Sequence, residues 1–134
     1  MANKINLKIV TPSRVMYDGE VSMVILRSKS GDVGILPNHQ PMVTVLDYGV
    51  MKLYNEGEEI KRAAVLGGYA HISEEGVYVL TDASEWSDEI DVARAQHAKE
   101  VAEKRLASRA DDIDIVRAEL ALKRALVRLN IKDL

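Results

Sequence analysis

Thr81-Asp82-Ala83-Ser84-Glu85-Trp86 is the stretch at which the sequence changes its period, and the fold turns on it. Upstream, apolar residues recur at every second position; downstream they recur at every third or fourth. The change predicts a strand-rich domain over residues 1–86 and a helical domain over residues 87–134.

Within the first region, Ile5, Leu7 and Ile9 alternate with Asn6, Lys8 and Val10 until Thr11-Pro12-Ser13 breaks the run as a turn. Val21, Met23, Ile25 and Arg27 continue the alternation, and Val24 and Leu26 make that strand apolar on both sides, which suits a sandwich. Residues 28–34 form a turn cluster, and Val33-Gly34-Ile35-Leu36 is a short run. Pro37-Asn38-His39-Gln40-Pro41 is an irregular loop whose shape two prolines fix. Further runs lie at 42–46, 50–54, 60–66, 69–72 and 77–80, separated by Asn55-Glu56-Gly57, Gly67-Gly68 and Glu74-Glu75-Gly76. The Gly67-Gly68 pair reads as a bulge or tight bend. Many short strands with turns at such spacing indicate an all-β sandwich or barrel.

Downstream, Ser87 is a candidate N-cap, with Asp88, Glu89 and Asp91 placing negative charge at the positive end of a helix. Ala93, Ala95, Ala98, Ala102 and Ala107 make this helix thin, so a second helix can approach closely. Ser108-Arg109-Ala110 is a short connection, and Asp111, Asp112 and Asp114 open the next helix in the same acidic way. From Ile115 onward, Arg117, Lys123, Arg124, Arg128 and Lys132 stand against Glu119 and Asp133, a net +3 that suits a helix C-terminus. Two helices joined by a short turn make an antiparallel hairpin. At 100° per residue, Arg117, Arg124 and Arg128 fall within an arc of about 40°, a single cationic rail in need of an anionic partner. Apolar residues flank it in two groups: Ile113, Val116, Leu120 and Val127, and Ile115, Leu122, Leu126 and Leu129. That exceeds what one docking face can cover, so the hairpin can pack in more than one arrangement.

Composition narrows the function. The 134 residues are 47% hydrophobic, enough for one modest core, and with no Phe that core must be Val, Ile, Leu, Met and Ala. A net charge of -3 without basic blocks argues against a nucleic-acid surface. Zero Cys excludes disulfides and thiolate chemistry and suits a reducing compartment. The first residues carry no apolar run of signal length, and no later run reaches membrane-spanning length, so the expected chain is soluble and cytoplasmic. Phosphate-loop, dinucleotide-binding and zinc-protease motifs are missing. His39, His71 and His97 lie far apart, where ordinary surface or packing roles explain them. The chain reads as a non-enzymatic binding or coupling subunit with no catalytic and no metal site.

Val10-Thr11-Pro12 with Val15-Met16-Tyr17, then the stretch from Ser30 through Gly31-Asp32-Val33-Gly34-Ile35-Leu36-Pro37-Asn38-His39-Gln40-Pro41, then Gly67-Gly68-Tyr69, and finally Asp111-Asp112-Ile113-Asp114 with Arg117-Ala118-Glu119-Leu120-Ala121-Leu122-Lys123-Arg124-Ala125, resemble the epsilon subunits of bacterial F-type, proton-translocating rotary ATP synthases. The resemblance runs from about Ile5 to Leu129, in the family's motif order. It implies an N-terminal antiparallel β-sandwich followed by a C-terminal antiparallel two-helix hairpin.

The resemblance also implies a central-stalk subunit that couples rotor rotation to ATP synthesis, peripheral on the cytoplasmic face of the plasma membrane. Its partners would be the gamma subunit, the c-subunit ring and the alpha/beta catalytic head, with no nucleic acid and no direct membrane insertion. By motif position Asp32 and His39 would lie at the rotor contact; an ordinary exposed loop is the alternative. The hairpin would inhibit ATP hydrolysis when extended, through Arg117, Lys123, Arg124 and Arg128 of its second helix; a solvated basic face is the alternative there. Ile90-Asp91-Val92-Ala93-Arg94-Ala95 resembles the motif with which some members bind ATP as a regulatory ligand in the folded hairpin. Asp91 would accept from the adenine amino group, and Arg94, Arg124 and Arg128 would donate to phosphate oxygens. Glu85 matches a further ligand position, and Ile90 and Ala95 complete the motif. No metal is required. Plain helix capping with a surface ion pair would produce the same Asp91-Arg94 spacing. A free-standing cytoplasmic nucleotide-binding or adaptor module is the competing function.

Overall fold

The computed structural model describes residues 4–108 and 112–133. Eight strands come first: β1 (Ile5–Val10), β2 (Val15–Val21), β3 (Met23–Ser28), β4 (Gly31–Ile35), β5 (Met42–Asn55), β6 (Glu58–Ser73), β7 (Gly76–Leu80) and β8 (Ser84–Trp86). A 3-10 turn at Ser87–Glu89 leads into α1 (Val92–Ser108) and α2 (Asp112–Asp133). The chain divides into two compact units, Met1–Trp86 and Ser87–Leu134.

The strand order is β2-β1-β7-β6-β5-β3-β4, with β8 added to β6. Two long strands, β5 and β6, serve both layers of the sandwich. The first part of β6 pairs with β8 through Ala63–Val65, and its last part pairs with β7 through Tyr69–Ser73. The runs at 42–46 and 50–54 are therefore one strand, as are those at 60–66 and 69–72. Gly67 and Gly68 supply the expected bend with φ of 85° and 111°. A Cβ on Gly68 would collide with the Leu80 carbonyl oxygen. β5 bends alongside, so Leu46 still faces Gly68 and Tyr48 still faces Leu66.

Other expectations need correction. The sandwich is not wholly antiparallel, because β1 lies parallel to β7. Residues 21–27 are not one strand: buried Val21 and buried Val24 are three apart, so the alternation changes phase at Ser22. Ser22 donates its hydroxyl to the Tyr54 carbonyl over 2.9 Å, which pins that break. The segment 15–21 is a strand of its own, and the turn expected at 28–34 shrinks to Lys29-Ser30. There the Ser28 hydroxyl donates to the Gly31 carbonyl over 2.8 Å and lets β4 begin at once.

The sandwich core is aliphatic. Leu7, Ile9, Val24, Leu26, Ile35, Met51, Leu53, Ile72 and Val79 are wholly buried, each worth about 1.5–3 kcal/mol of burial. In the helical unit Ala95, Ala102, Ala118 and Ala125 are buried. They recur seven apart on each helix, so two slender faces meet. Asp91, not Ser87, caps α1: its carboxylate accepts the Arg94 backbone N–H over 3.1 Å. Ser87 instead closes the 3-10 turn through its carbonyl, which accepts the Ile90 N–H. The connection at 109–111, with the expected contribution of Asp111, lies outside the described residues.

Candidate functional site

The loop that carries His39 is a built turn. The His39 N–H donates to the Leu36 carbonyl over 3.2 Å, Pro37 takes the second position, and Asn38 has a φ of 68° at the third. That is type II turn geometry, in which the third residue must adopt a positive φ. The His39 ring turns Nδ1 toward the Gln40 carbonyl, 2.8 Å away. A carbonyl only accepts, so Nδ1 carries the hydrogen and Nε2 points elsewhere. His39 is half-buried, and the loop walls a cleft of about 680 Å³ with Lys4, Glu20 and Glu74 on other sides. Asp32 projects from β4, exposed, with an oxygen 2.9 Å from Arg27 Nε.

The outer face of the sheet formed by β2, β1, β7, β6 and β5 is a surface that sequence reasoning missed. One row of register partners crosses all five strands: Val15, Val10, Leu80, Tyr69 and Val45. The next row runs Asp18, Lys8, Tyr78, His71 and Val43. Val15 is 55% exposed, Val43 65%, Val45 56% and Tyr69 47%. Open apolar side chains gathered on one β face are the kind of surface that marks docking sites. Alternation alone could not reveal it, because β1 and β5 carry apolar residues on both faces and periodicity does not say which row is outside.

In the helical unit α1 is 17 residues long, about 25 Å. Three connecting residues cannot return the chain along that length, so the packed helices run antiparallel. The equal seven-residue spacing of the buried alanines lets Ala95 face Ala125 and Ala102 face Ala118 across the seam. With these alanines marking the seam, Arg94, Arg124 and Arg128 point to the same side of the pair. On that pairing the helical rise puts Arg94 between the other two along the axis, about 3 Å from each level. Arg124 and Arg128 are half-buried, while Arg94 and Arg117 are exposed. Arg117 shares that side, and so does Arg105 in the last turn of α1, which the spacing along either helix alone does not reveal. Lys123 is exposed on the opposite side.

The remaining residues of the expected nucleotide site have distinct positions. Ile90 and Ala95 are buried, so they shape the start of α1 and the helix seam. One Asp91 oxygen is engaged as the cap, which leaves the other for a further donor. Glu85 belongs to the sheet unit, half-buried on β8 opposite Ala64. Among the described residues no group of three His, Cys, Asp or Glu side chains is placed to hold a metal ion. No helix there is long and apolar enough to cross a membrane.

Known proteins share this architecture. The beta-sandwich domain of the ATP synthase delta/epsilon chain matches residues 4–87, and the long alpha-helix domain of the same chain matches residues 88–133. The ATP synthase epsilon chain of Alkaliphilus metalliredigens is 47% identical over 131 residues, spanning 98% of this chain and 97% of that one. That of Bacillus velezensis is 45% identical over 127 residues, spanning 95% and 96%. A chain in the Euglena gracilis mitochondrial ATP synthase, solved as OSCP/F1/c-ring in rotational state 1, has the same fold. It superposes with a TM-score of 0.86 at 23% identity over 100% of this chain and 84% of that one. With the two domains matched in succession over residues 4–133, the chain belongs to the ATP synthase delta/epsilon family, among its bacterial epsilon chains.

Proposed function

We propose that this chain is the epsilon subunit of a rotary ATP synthase central stalk, a non-catalytic rotor part whose helical unit restrains ATP hydrolysis and senses ATP. The observation that carries this reading is the open apolar face of the sheet, with Val43, Val45 and Tyr69 exposed in a unit that already has a complete core. Covering such a face stabilises a permanent assembly without disturbing the fold. The gamma subunit is the partner for it. The Asp32 strand and the His39 turn then meet the c-subunit ring, and the assembly lies peripherally on the cytoplasmic face of the membrane.

ATP sensing rests on the shared side of Arg94, Arg124 and Arg128. Three guanidinium groups at nearly one level can take a triphosphate in charge-assisted pairs, while Asp91 offers an acceptor to the adenine amino group. Binding without hydrolysis needs neither a nucleophile nor a metal. A ligand that bridges both helices favours the closed hairpin by its differential affinity for that state. The opened hairpin would present Arg117 and its neighbours to an acidic surface of the catalytic head, and ATP would oppose inhibition.

Co-purification with gamma and the c-subunit ring tests the assembly role. Wild-type chain is expected in stoichiometric yield, and Val45→Asp with Tyr69→Asp is expected to lose most of it while keeping the thermal transition. Full retention by the doubly charged variant would remove that face from the interface. Calorimetric titration with ATP tests the sensor: Arg94→Ala with Arg128→Ala should abolish saturable binding, and unchanged affinity would take those residues out of the site.

A further inference from the structure

Arg27 lies on β3 with its side chain outward, flanked by buried Leu26 and Ser28. Its register partner on β4 is Asp32. Its Nε lies 2.9 Å from one Asp32 oxygen, a charge-assisted bond between side chains that are 47% and 56% exposed. At such exposure the pair adds little to stability. What it can do is hold a carboxylate in one direction.

The other end of Arg27 is also seated. From Ile25 to Ser28 β3 advances three residues, while β5 advances six from Lys52 to Leu46, and the two strands part. The Arg27 stem fills that gap over Gly49. A Cβ on Gly49 would lie 2.5 Å from both Cβ and Cγ of Arg27, the base of that side chain rather than its flexible end. The neighbouring turn is tied as well, since the Ser30 N–H donates to the Ser28 hydroxyl and the Lys29 N–H to the Val45 carbonyl. Arg27 is thus fixed at its stem by a glycine and at its head by Asp32.

We propose that Arg27, seated on Gly49, is a positioning residue that presents Asp32 to a hydrogen-bond donor on the c-subunit ring. This rests on the reading of Asp32 as a ring contact. One carboxylate oxygen is engaged by Arg27, which leaves the other for a further donor, so the ordering of that side chain precedes association and does not weaken it. Charge alone would act the other way. Removing Arg27 makes the tip more negative and would strengthen its attraction for a cationic loop, so the sign of the effect separates the two roles.

The test is affinity of the full-length chain for an immobilised gamma–c-ring assembly at fixed salt, with thermal unfolding recorded for each variant. Arg27→Ala and Asp32→Ala are each expected to weaken binding by roughly three- to tenfold at unchanged melting temperature, and the double variant should be no weaker than Asp32→Ala. Arg27→Lys, which keeps an ion pair, should recover most of the loss. Gly49→Ala, by displacing the Arg27 stem, should weaken binding in the wild-type background and change nothing further beside Asp32→Ala. If Asp32→Ala binds normally, Asp32 is no ring contact and the underlying reading fails. If Asp32→Ala weakens binding while Arg27→Ala leaves it unchanged or tighter, or if the two losses add, the positioning role is wrong.

Discussion

The sheet unit buries leucines, isoleucines and valines, whereas the helix seam is made largely of alanines, with Ile90, Val127 and Ile131 as the larger buried groups among the described residues of that unit. An alanine methyl contributes far less burial than a leucine side chain. The helical unit is therefore expected to open at lower free energy than the sandwich. The lesson is that one chain can join a tightly packed body to a lightly packed segment by allotting its aliphatic volume unevenly. Exposed Val116 and Leu120 fit this division, since α2 carries apolar surface that the hairpin leaves open.

The strongest way to break the comparison is to hollow the sandwich. Leu26→Ala removes a wholly buried side chain and should cost about 2–5 kcal/mol, measured by denaturant unfolding. A loss below about 1 kcal/mol would mean that the sheet is not the rigid partner. Overpacking the seam comes next. Ala102→Leu should prise α1 from α2 at a local cost of about 1–3 kcal/mol, seen as faster amide exchange in both helices with sheet protection intact.

Much of this contrast is legible in the sequence for a simple reason: alternation and alanine spacing are local signals. Pro37 and Asn38 likewise mark their turn by their own backbone preferences. What the sequence could not show depends on partners distant along the chain. Arg27 and Gly49 meet only because β3 and β5 fall out of step. Val45 and Tyr69 are exposed only because the second layer lies on the other face. Ser87 and Asp91 are both good caps, and the 3-10 turn decides between them. Gly67-Gly68 could be seen as a bend, but not that the strand continues through it. Arg105 joins the basic side only once α1 and α2 are laid together.

Smaller effects sharpen the division at the boundary between the units. Asp91→Ala should fray the start of α1 and cost about 1 kcal/mol, read from the protection of the Arg94 and Ala95 amides, while Asp91→Ser should keep the cap. Equal fraying in both variants would show that the capping bond is not what holds the helix start. At the end of the sheet unit, Lys61 Nζ lies 4.4 Å from the Trp86 ring centre, and Tyr17 meets the same ring edge-on at 6.3 Å. Lys61→Ala should cost only about 0.5–1 kcal/mol and shift Trp86 emission, because the cation leaves the ring face. As the chain has one Trp, that signal reports on this corner alone.

Amide exchange of the full-length chain with and without saturating ATP tests the division of labour most directly. The account predicts that α1 and α2 open at far lower free energy than the strands, and that ATP raises helix protection by about 2.7 kcal/mol at one hundred times its dissociation constant while leaving the strands as they were. Helices as protected as the sheet, and indifferent to ATP, would contradict it.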